Sequence, residues 1–338
     1  MLYKGMKKGI YKFEGVSIVS GASVVGKYEH EGPLGDCFDL HDPTDKFGMN
    51  TWERAESEMQ RLAFNTALAK ASAKEREIEA LFAGDLLNQC TGSSYGLLDF
   101  DIPYFGLYGA CSTAAESIML AASFVSAGYV STAAAVTSSH YCSAERQYRT
   151  PIEYGAQRSP TAQWTVTGAG AFVIGREGRI RVCEGMAGIV VEKGINDASN
   201  MGAAMAPAAI STLCRYFSES GMDVKDFDLI VTGDLGFEGG SILCEMMSAK
   251  GLDLRGRYTD CGILIYGKDQ DKHAGGSGCG CSAVVLASHL LPRIERGELR
   301  RILFIGTGAM MSPASIQQGM AIPAVAHLVA ICNEKYCF

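Results

Sequence analysis

The sequence contains no CxxC pair, no block of like charge and no apolar leader, and each absence removes a class of function. Without CxxC spacings the twelve cysteines form no zinc-ribbon pattern, and their irregular positions outline no disulfide framework. The expectation is free thiols in a reducing compartment and no metal site. Cys279 and Cys281, one residue apart in a Gly-rich stretch, suit close packing better than chelation. Thirty basic residues against 37 acidic ones leave a net charge of −7 with no basic run, which argues against a nucleic-acid partner. The opening MLYKGMKKGIYKFEG carries charges but no apolar core, so no secretory signal is expected. Ile118 to Ser139 is uncharged over a length that can cross a bilayer, yet it is rich in Ser, Thr, Ala and Gly and is split by Gly128. We read it as a buried helix followed by a buried strand in a soluble chain with no transmembrane segment.

What is present is a large apolar reserve. Hydrophobic residues make up 47% of 338, enough for two domains of similar size. Short apolar runs alternate with helical stretches in the manner of an α/β fold. Strands are predicted at Val16–Val24, Leu81–Gly84, Tyr104–Tyr108, Thr132–Thr137 and Val166–Ile174. A second set is predicted at Leu229–Thr232, Ile263–Tyr266, Arg301–Gly306 and Val325–Ile331. Helices are predicted at Trp52–Ala71, Ser112–Ala127, Pro207–Ser220 and Ser282–Arg296. The halves echo each other: Gly-Asp-Leu ends a strand at Gly84–Leu86 and at Gly233–Leu235, and Cys-Ser opens a helix at Cys111–Ser112 and Cys281–Ser282. In each half a threonine, Thr137 or Thr307, follows the cysteine by 26 residues. These matches predict a duplication into βαβ-type halves, residues 1–178 and 179–338, with the boundary at the polar turn around Gly178.

Cys111 follows the strand YFGLY and a Gly-Ala turn and leads straight into STAAESIMLAASF. A helix N-terminus presents unpaired N–H groups that favour a thiolate or an oxyanion, while a small buried hydrophobe is the plainer alternative. Ligands in parallel sheets collect beyond the carboxyl ends of the strands, a rim that Asp85, Asn88, Cys111, Ser138, Ser139 and His140 are placed to share. His140 is a candidate base toward Cys111 or a donor to a bound carboxylate; a structural histidine is the alternative. The loop AERQYRTPIEYGAQR holds Glu145, Arg146, Arg149, Glu153 and Arg158. Arg146 and Arg149 have the spacing of a guanidinium fork, or of salt bridges that fix the loop. TVTGAGAFVIG begins a strand rather than a helix, and AGGSGCGCS lacks a lysine, so neither is a phosphate loop. The second is better read as close backbone packing at the start of the second-half helix.

Duplicated α/β halves, GACSTAAES and TGAGAFVIG together resemble the thiolase superfamily, which includes the ketoacyl synthases. GPLGDCFD, FAGDLLNQ, YGACSTAAESI, TSSHYCSAERQYRTPIEYG, GINDASNMGAAMAPAA, VTGDLG, AGGSGCGCSAVV and SPASIQQ resemble one branch of it, the stage V sporulation AD family. The resemblance implies a thiolase-like α/β fold of two duplicated halves in α/β/α/β/α layers, associated as a homodimer. It implies binding of dipicolinic acid (pyridine-2,6-dicarboxylate) and its uptake into the developing spore, with calcium an open companion of the ligand. It also implies partners in the stage V sporulation A transport complex, a peripheral location at the forespore or spore inner membrane, and a bearing on germination. The expected ligand-binding set is Asp85, Asn88, Cys111, Ser139, His140, Arg146, Arg149, Asp234 and Ser277, with no resident cofactor. Condensing enzymes of the superfamily pair their cysteine with second-half partners. Here Ser277 stands where a histidine belongs, Gly233 or Asp234 where another does, and Phe304 where a second cysteine does. Catalysis is therefore expected to be lost. The alternative is an acyltransferase using coenzyme A, with Cys111 as nucleophile and His140 as base.

Overall fold

The computed structural model describes residues 9–148 and 158–337. Its strands are β1 (Ser17–Val25), β2 (Ala80–Gly84), β3 (Tyr104–Leu107), β4 (Ala133–Ser139) and β5 (Gly168–Gly175), then β6 (Ile180–Met186), β7 (Leu229–Thr232), β8 (Tyr258–Asp260), β9 (Arg301–Ala309) and β10 (Ala324–Asn333). They form one path in the order β8-β7-β9-β10-β6-β1-β5-β4-β2-β3, with two short strands off it. The second five strands repeat the arrangement of the first. In each set the first and fourth strands in chain order flank the fifth antiparallel to it, and the second lies parallel between the fourth and third. The two sets meet where β1 pairs with β6 at Ser17↔Arg181 and Ile18↔Ile180, beside the turn in which Gly178 holds φ +141°.

Helices divide the molecule into layers. α1 (Trp52–Ala71) shares an apolar cluster with β1, β2, β4 and β5 on one outer face. α4 (Met201–Ser220) and α5 (Gly236–Ala249) share another with β7, β9 and β10. Between them lie α2 (Thr113–Ala127) and α6 (Cys279–Val285), whose residues Ile118, Val125, Val284 and Val285 join strands of both sets in the largest cluster. This is the α/β/α/β/α stacking expected of the fold. Among the described residues, the one helical stretch long and apolar enough to span a membrane, Ala110–Ala127, has 67% of its length buried in that middle layer. The uncharged segment is thus the buried helix α2 followed by the fully buried strand β4.

Glycines let the middle helices approach the strands. A Cβ on Gly308 of β9 would lie 2.2 Å from the Gly109 carbonyl oxygen ahead of α2, and one on Gly170 of β5 would lie 2.6 Å from the Ala283 Cβ of α6. The two Gly-rich strands are therefore helix seats, one per half.

Several local expectations change. The run at Ile263–Tyr266 lies in the short helix Cys261–Ile265 and the strand is Tyr258–Asp260, because an apolar run of four fits either state. The helix expected from Pro207 begins at Met201, where the Asn200 side chain accepts the Ala203 N–H, and carries Pro207 inside it. Ala144–Tyr148, read as the start of a loop, lies in helix α3 (Tyr141–Tyr148). Ten cysteines remain thiols as expected, but Cys332 and Cys337 form a disulfide.

Candidate functional site

The site begins at a sharp turn. After β3, Ala110 adopts φ +50°, a left-handed conformation that costs an alanine about 1–2 kcal/mol. Side-chain hydrogen bonds hold the turn: Ser112 Oγ donates to the Gly109 carbonyl at 2.6 Å, and Thr113 Oγ1 donates to that of Ala110 at 2.7 Å. Cys111 is thereby lifted to the head of α2, 6% exposed, as a wall of a cavity of about 150 Å³.

Beside it on the cavity wall stands Ser277, its Oγ 3.9 Å from Cys111 Sγ. Ser277 Oγ donates to Asp234 Oδ2 at 3.0 Å, the Gly278 N–H donates to the same oxygen at 2.9 Å, and Thr307 Oγ1 donates to Oδ1 at 2.7 Å. Asp234 is fully buried, and burial raises its pKa against the pull of those hydrogen bonds. Burial also pushes the Cys111 thiol well above its usual range, with the Asp234 carboxylate and Cys279 adding to the effect. A helix N-terminus favours a thiolate, whereas desolvation and the adjacent acid act in the opposite direction here. The cluster at rest is a neutral thiol, a hydroxyl and a hydrogen-bonded acid.

The remaining walls are a mixture. Tyr108 and Tyr148 join through their hydroxyls, and Tyr148 donates to the Leu86 carbonyl at 2.8 Å. Gln163 Nε2 donates to the carbonyls of Asp234 and Gly276, which fixes its amide orientation and leaves Oε1 buried without a partner. Glu145 is the one charged residue among the described lining and pairs with Arg158 at 3.7 Å. Leu86, Ala144, Ala309 and Met311 supply apolar surface.

Of the expected residues, Cys111 and Ser277 line this cavity and Asp234 stands directly behind them. The others lie elsewhere. His140 is fully buried: its Nε2 meets the Asp45 carbonyl at 2.8 Å, its Nδ1 accepts the Cys142 N–H at 3.1 Å, and burial lowers its pKa. Both nitrogens are occupied, so it is neither a base for Cys111 nor a donor into the cavity. Asp85 accepts the N–H groups of Leu87 and Ser93 and the Ser93 hydroxyl, fastening its own loop. Ser139 Oγ donates to the Val166 carbonyl and accepts the Gly280 N–H, tying the segment ahead of β5 to α6. Asn88 is exposed on the adjoining loop, where its N–H donates to Gln147. Arg146 is exposed and paired with Glu53. Arg149 lies outside the described residues. Phe304 is fully buried in the middle layer, so the β9 residue that meets the site is Thr307, three positions on.

Missed in the sequence are Tyr108, Tyr148 and Gln163. Tyr108 adjoins the cysteine turn and is within reach of a closer reading. Gln163 is brought in by the short pairing of Trp164–Thr165 with Gly276–Ser277, which no local pattern announces.

Comparison with known proteins agrees with this architecture. A crystal structure of a variant of OleA from Xanthomonas campestris superposes with a TM-score of 0.61 at 17% identity, covering 98% of this chain and 100% of that one. The 3-oxoacyl-[acyl-carrier-protein] synthase III of Aquifex aeolicus does so with a TM-score of 0.58 at 13% identity, covering 94% and 99%. At such identities the likeness shows the thiolase-like fold alone. In sequence, the chain is 41% identical over 313 residues to stage V sporulation protein AD of Bacillus subtilis strain 168, covering 92% of this chain and 93% of that protein. The family model described as stage V sporulation protein AD matches residues 7–332. On these matches the chain belongs to the stage V sporulation protein AD family.

Proposed function

We propose that this sporulation-family protein is a non-catalytic binder of dipicolinic acid that supports the ligand's uptake into the developing spore. The single observation that carries the reading is the pairing of a ring-sized cavity with a cysteine that has no proton shuttle. A cavity of roughly 150 Å³ accommodates a benzene-sized ring, which matches the volume beside Cys111. Acyl transfer needs a thiolate and a group that moves protons, whereas here the thiol is held neutral and no histidine lines the cavity among the described residues.

Dipicolinate is planar and doubly negative at neutral pH. The N-terminus of α2 offers it N–H donors, while the Ser277, Tyr108 and Tyr148 hydroxyls, whose protons go to Asp234, to Tyr148 and to the Leu86 carbonyl, offer acceptor oxygens to a cation bound with the ligand. The described lining adds a carboxylate, Glu145, and no cation. Calcium chelated by the ligand answers this charge mismatch and makes the bound species neutral. The protein works as a homodimer at the forespore or spore inner membrane, with the other proteins of the stage V sporulation A transport complex, and through ligand loading it bears on germination.

Titration calorimetry with dipicolinate, alone and with equimolar calcium, tests the reading. Saturable heat that Ser277→Phe abolishes supports it, and no heat from the folded parent protein rejects it. The left-handed turn that lifts Cys111 to the cavity wall favours a second reading, acyl transfer from coenzyme A thioesters. A stoichiometric acyl adduct by intact mass, lost in Cys111→Ser, would establish that one instead.

A further inference from the structure

One group of sulfurs takes no part in the Cys111 site. Cys183 on β6, Cys332 on β10 and Cys337 beyond its end bring their Sγ atoms within 4.8 Å of one another. The register explains how. Glu184 faces Ala330 while Val182 faces Ile331, so Cys183 is the extra residue of a β-bulge, a device that re-aims a side chain. After Asn333 the chain turns through Glu334–Tyr336, with the Asn333 side chain accepting the Lys335 N–H and Arg301 Nε donating to the Tyr336 carbonyl. That turn returns Cys337 to Cys332, to which it is disulfide-bonded. Cys183 stays outside the disulfide as a thiol, with its Sγ 2.7 Å from Cys332 Sγ. Cys332 is thus flanked by two sulfurs, one bonded to it and one in contact with it. Cys183 and Cys337 are only half-buried and open on a surface depression bordered by Lys12, Arg181 and Glu334.

We propose that these three cysteines form a thiol–disulfide exchange site. The Cys183 thiolate attacks Cys332 Sγ, and the Cys183–Cys332 bond forms as the Cys332–Cys337 bond breaks. Cys337 leaves as a thiolate and takes up the proton that Cys183 gave up. One disulfide and one thiol exist before and after, so the step needs no outside oxidant or reductant. Low-molecular-weight thiols of the cytosol, reaching the depression, set whether the trio is oxidised at all. The two bridges differ in consequence. Cys332–Cys337 closes a loop between residues five apart at the end of the described chain. Cys183–Cys332 staples adjacent strands and presents the Cys337 thiol at the surface, where a small thiol can modify it.

The test is bridge mapping on the full chain. The protein is equilibrated in a glutathione redox buffer, acid-quenched, alkylated and digested, and its disulfides are identified by mass spectrometry. Both bridges are expected in the wild type, in a ratio independent of protein concentration, with the remaining thiol divided between Cys183 and Cys337. Cys337→Ser should oxidise to the Cys183–Cys332 bridge, Cys183→Ser to the Cys332–Cys337 bridge, and Cys332→Ser to neither. Circular dichroism shows that each variant is folded, and the wild-type map stands without the variants. Cys332–Cys337 as the sole wild-type bridge, with none formed in folded Cys337→Ser, would overturn the proposal. So would three reduced thiols that purify with a bound metal ion.

Discussion

The two Gly-Asp-Leu turns of this protein share their sequence and their place in the fold, and they do different work. In the first half Asp85 is used locally, accepting hydrogen bonds from Leu87 and Ser93 a few residues along the same loop. In the second half Asp234 reaches Ser277, Gly278 and Thr307 from two other elements and stands behind the Cys111 thiol. The two Cys-Ser helix starts diverge in the same way. Cys111 lines a cavity, while Cys281 is fully buried and its thiol points to the Gly233 carbonyl at 3.7 Å. Duplication therefore provides two equivalent strand-turn-helix corners. In the described structure the first-half helix lines the cavity with the second-half acid directly behind its wall, and the counterpart Cys281 is packed shut.

The largest effect that would sharpen this comparison is at Asp234. Asp234→Ala leaves two hydroxyls and an N–H group without their buried acceptor, at a cost of about 3 kcal/mol or more in chemical denaturation. The milder Asp234→Asn is expected to weaken dipicolinate binding by roughly tenfold, the value of about 1.4 kcal/mol. Asp85→Asn should destabilise its loop yet leave binding within about twofold, because its effect is local. Equal losses of binding from both variants would break the contrast.

The next effect is on pH dependence, and it lies outside the cavity. Burial raises the pKa of Glu56 to about 8 and of Glu29 and Asp260 to about 7. A carboxyl whose folded pKa is raised holds its proton longer in the folded state. Its contribution is complete below the unfolded pKa and is lost as pH rises through the folded one. The melting temperature is therefore expected to fall by roughly 5 °C or more between about pH 6 and pH 8.5, and Glu56→Gln should flatten the slope. A melting temperature that rises across that window would contradict these assignments.

Smaller effects separate Cys111 from Cys281 and test His140 and Arg146, two of the three basic residues that the sequence alone puts at the site. Cys281→Ser puts a hydroxyl into a closed core and should cost about 1–2 kcal/mol, whereas Cys111→Ser should change stability little and binding measurably. His140→Ala should lower stability by about 1–2 kcal/mol through its two lost hydrogen bonds, with calorimetric binding unchanged. Arg146→Ala removes an exposed ion pair and should shift stability by less than about 1 kcal/mol.

The fold is legible in the sequence because its signals are regional. Helix Trp52–Ala71 is readable to the residue, and most strands to within one or two positions, because long periodic runs and repeated Gly-Asp-Leu and Cys-Ser turns persist over many residues. The site is less legible because it is assembled from both halves. Cys111 and Asp234 come from the matched turns, whereas Ser277 lies four residues ahead of Cys281 and is marked only by the family resemblance. His140, Arg146 and Asp85 carry suitable chemistry along one rim, and that alone recommends them. Linear distance does not show that α3 folds back and leaves His140 bonded to the Asp45 carbonyl. Nor does it show that Cys332 and Cys337 meet, since a turn and a distant arginine bring them together.

The most direct test of the central claim is a crystal structure of the protein grown with dipicolinate and calcium. The expected result is a pyridine ring in the cavity between Cys111, Ser277 and Gln163, with the cysteine unmodified. Ligand bound elsewhere while this cavity stays unchanged, or an acyl group on Cys111, would contradict it.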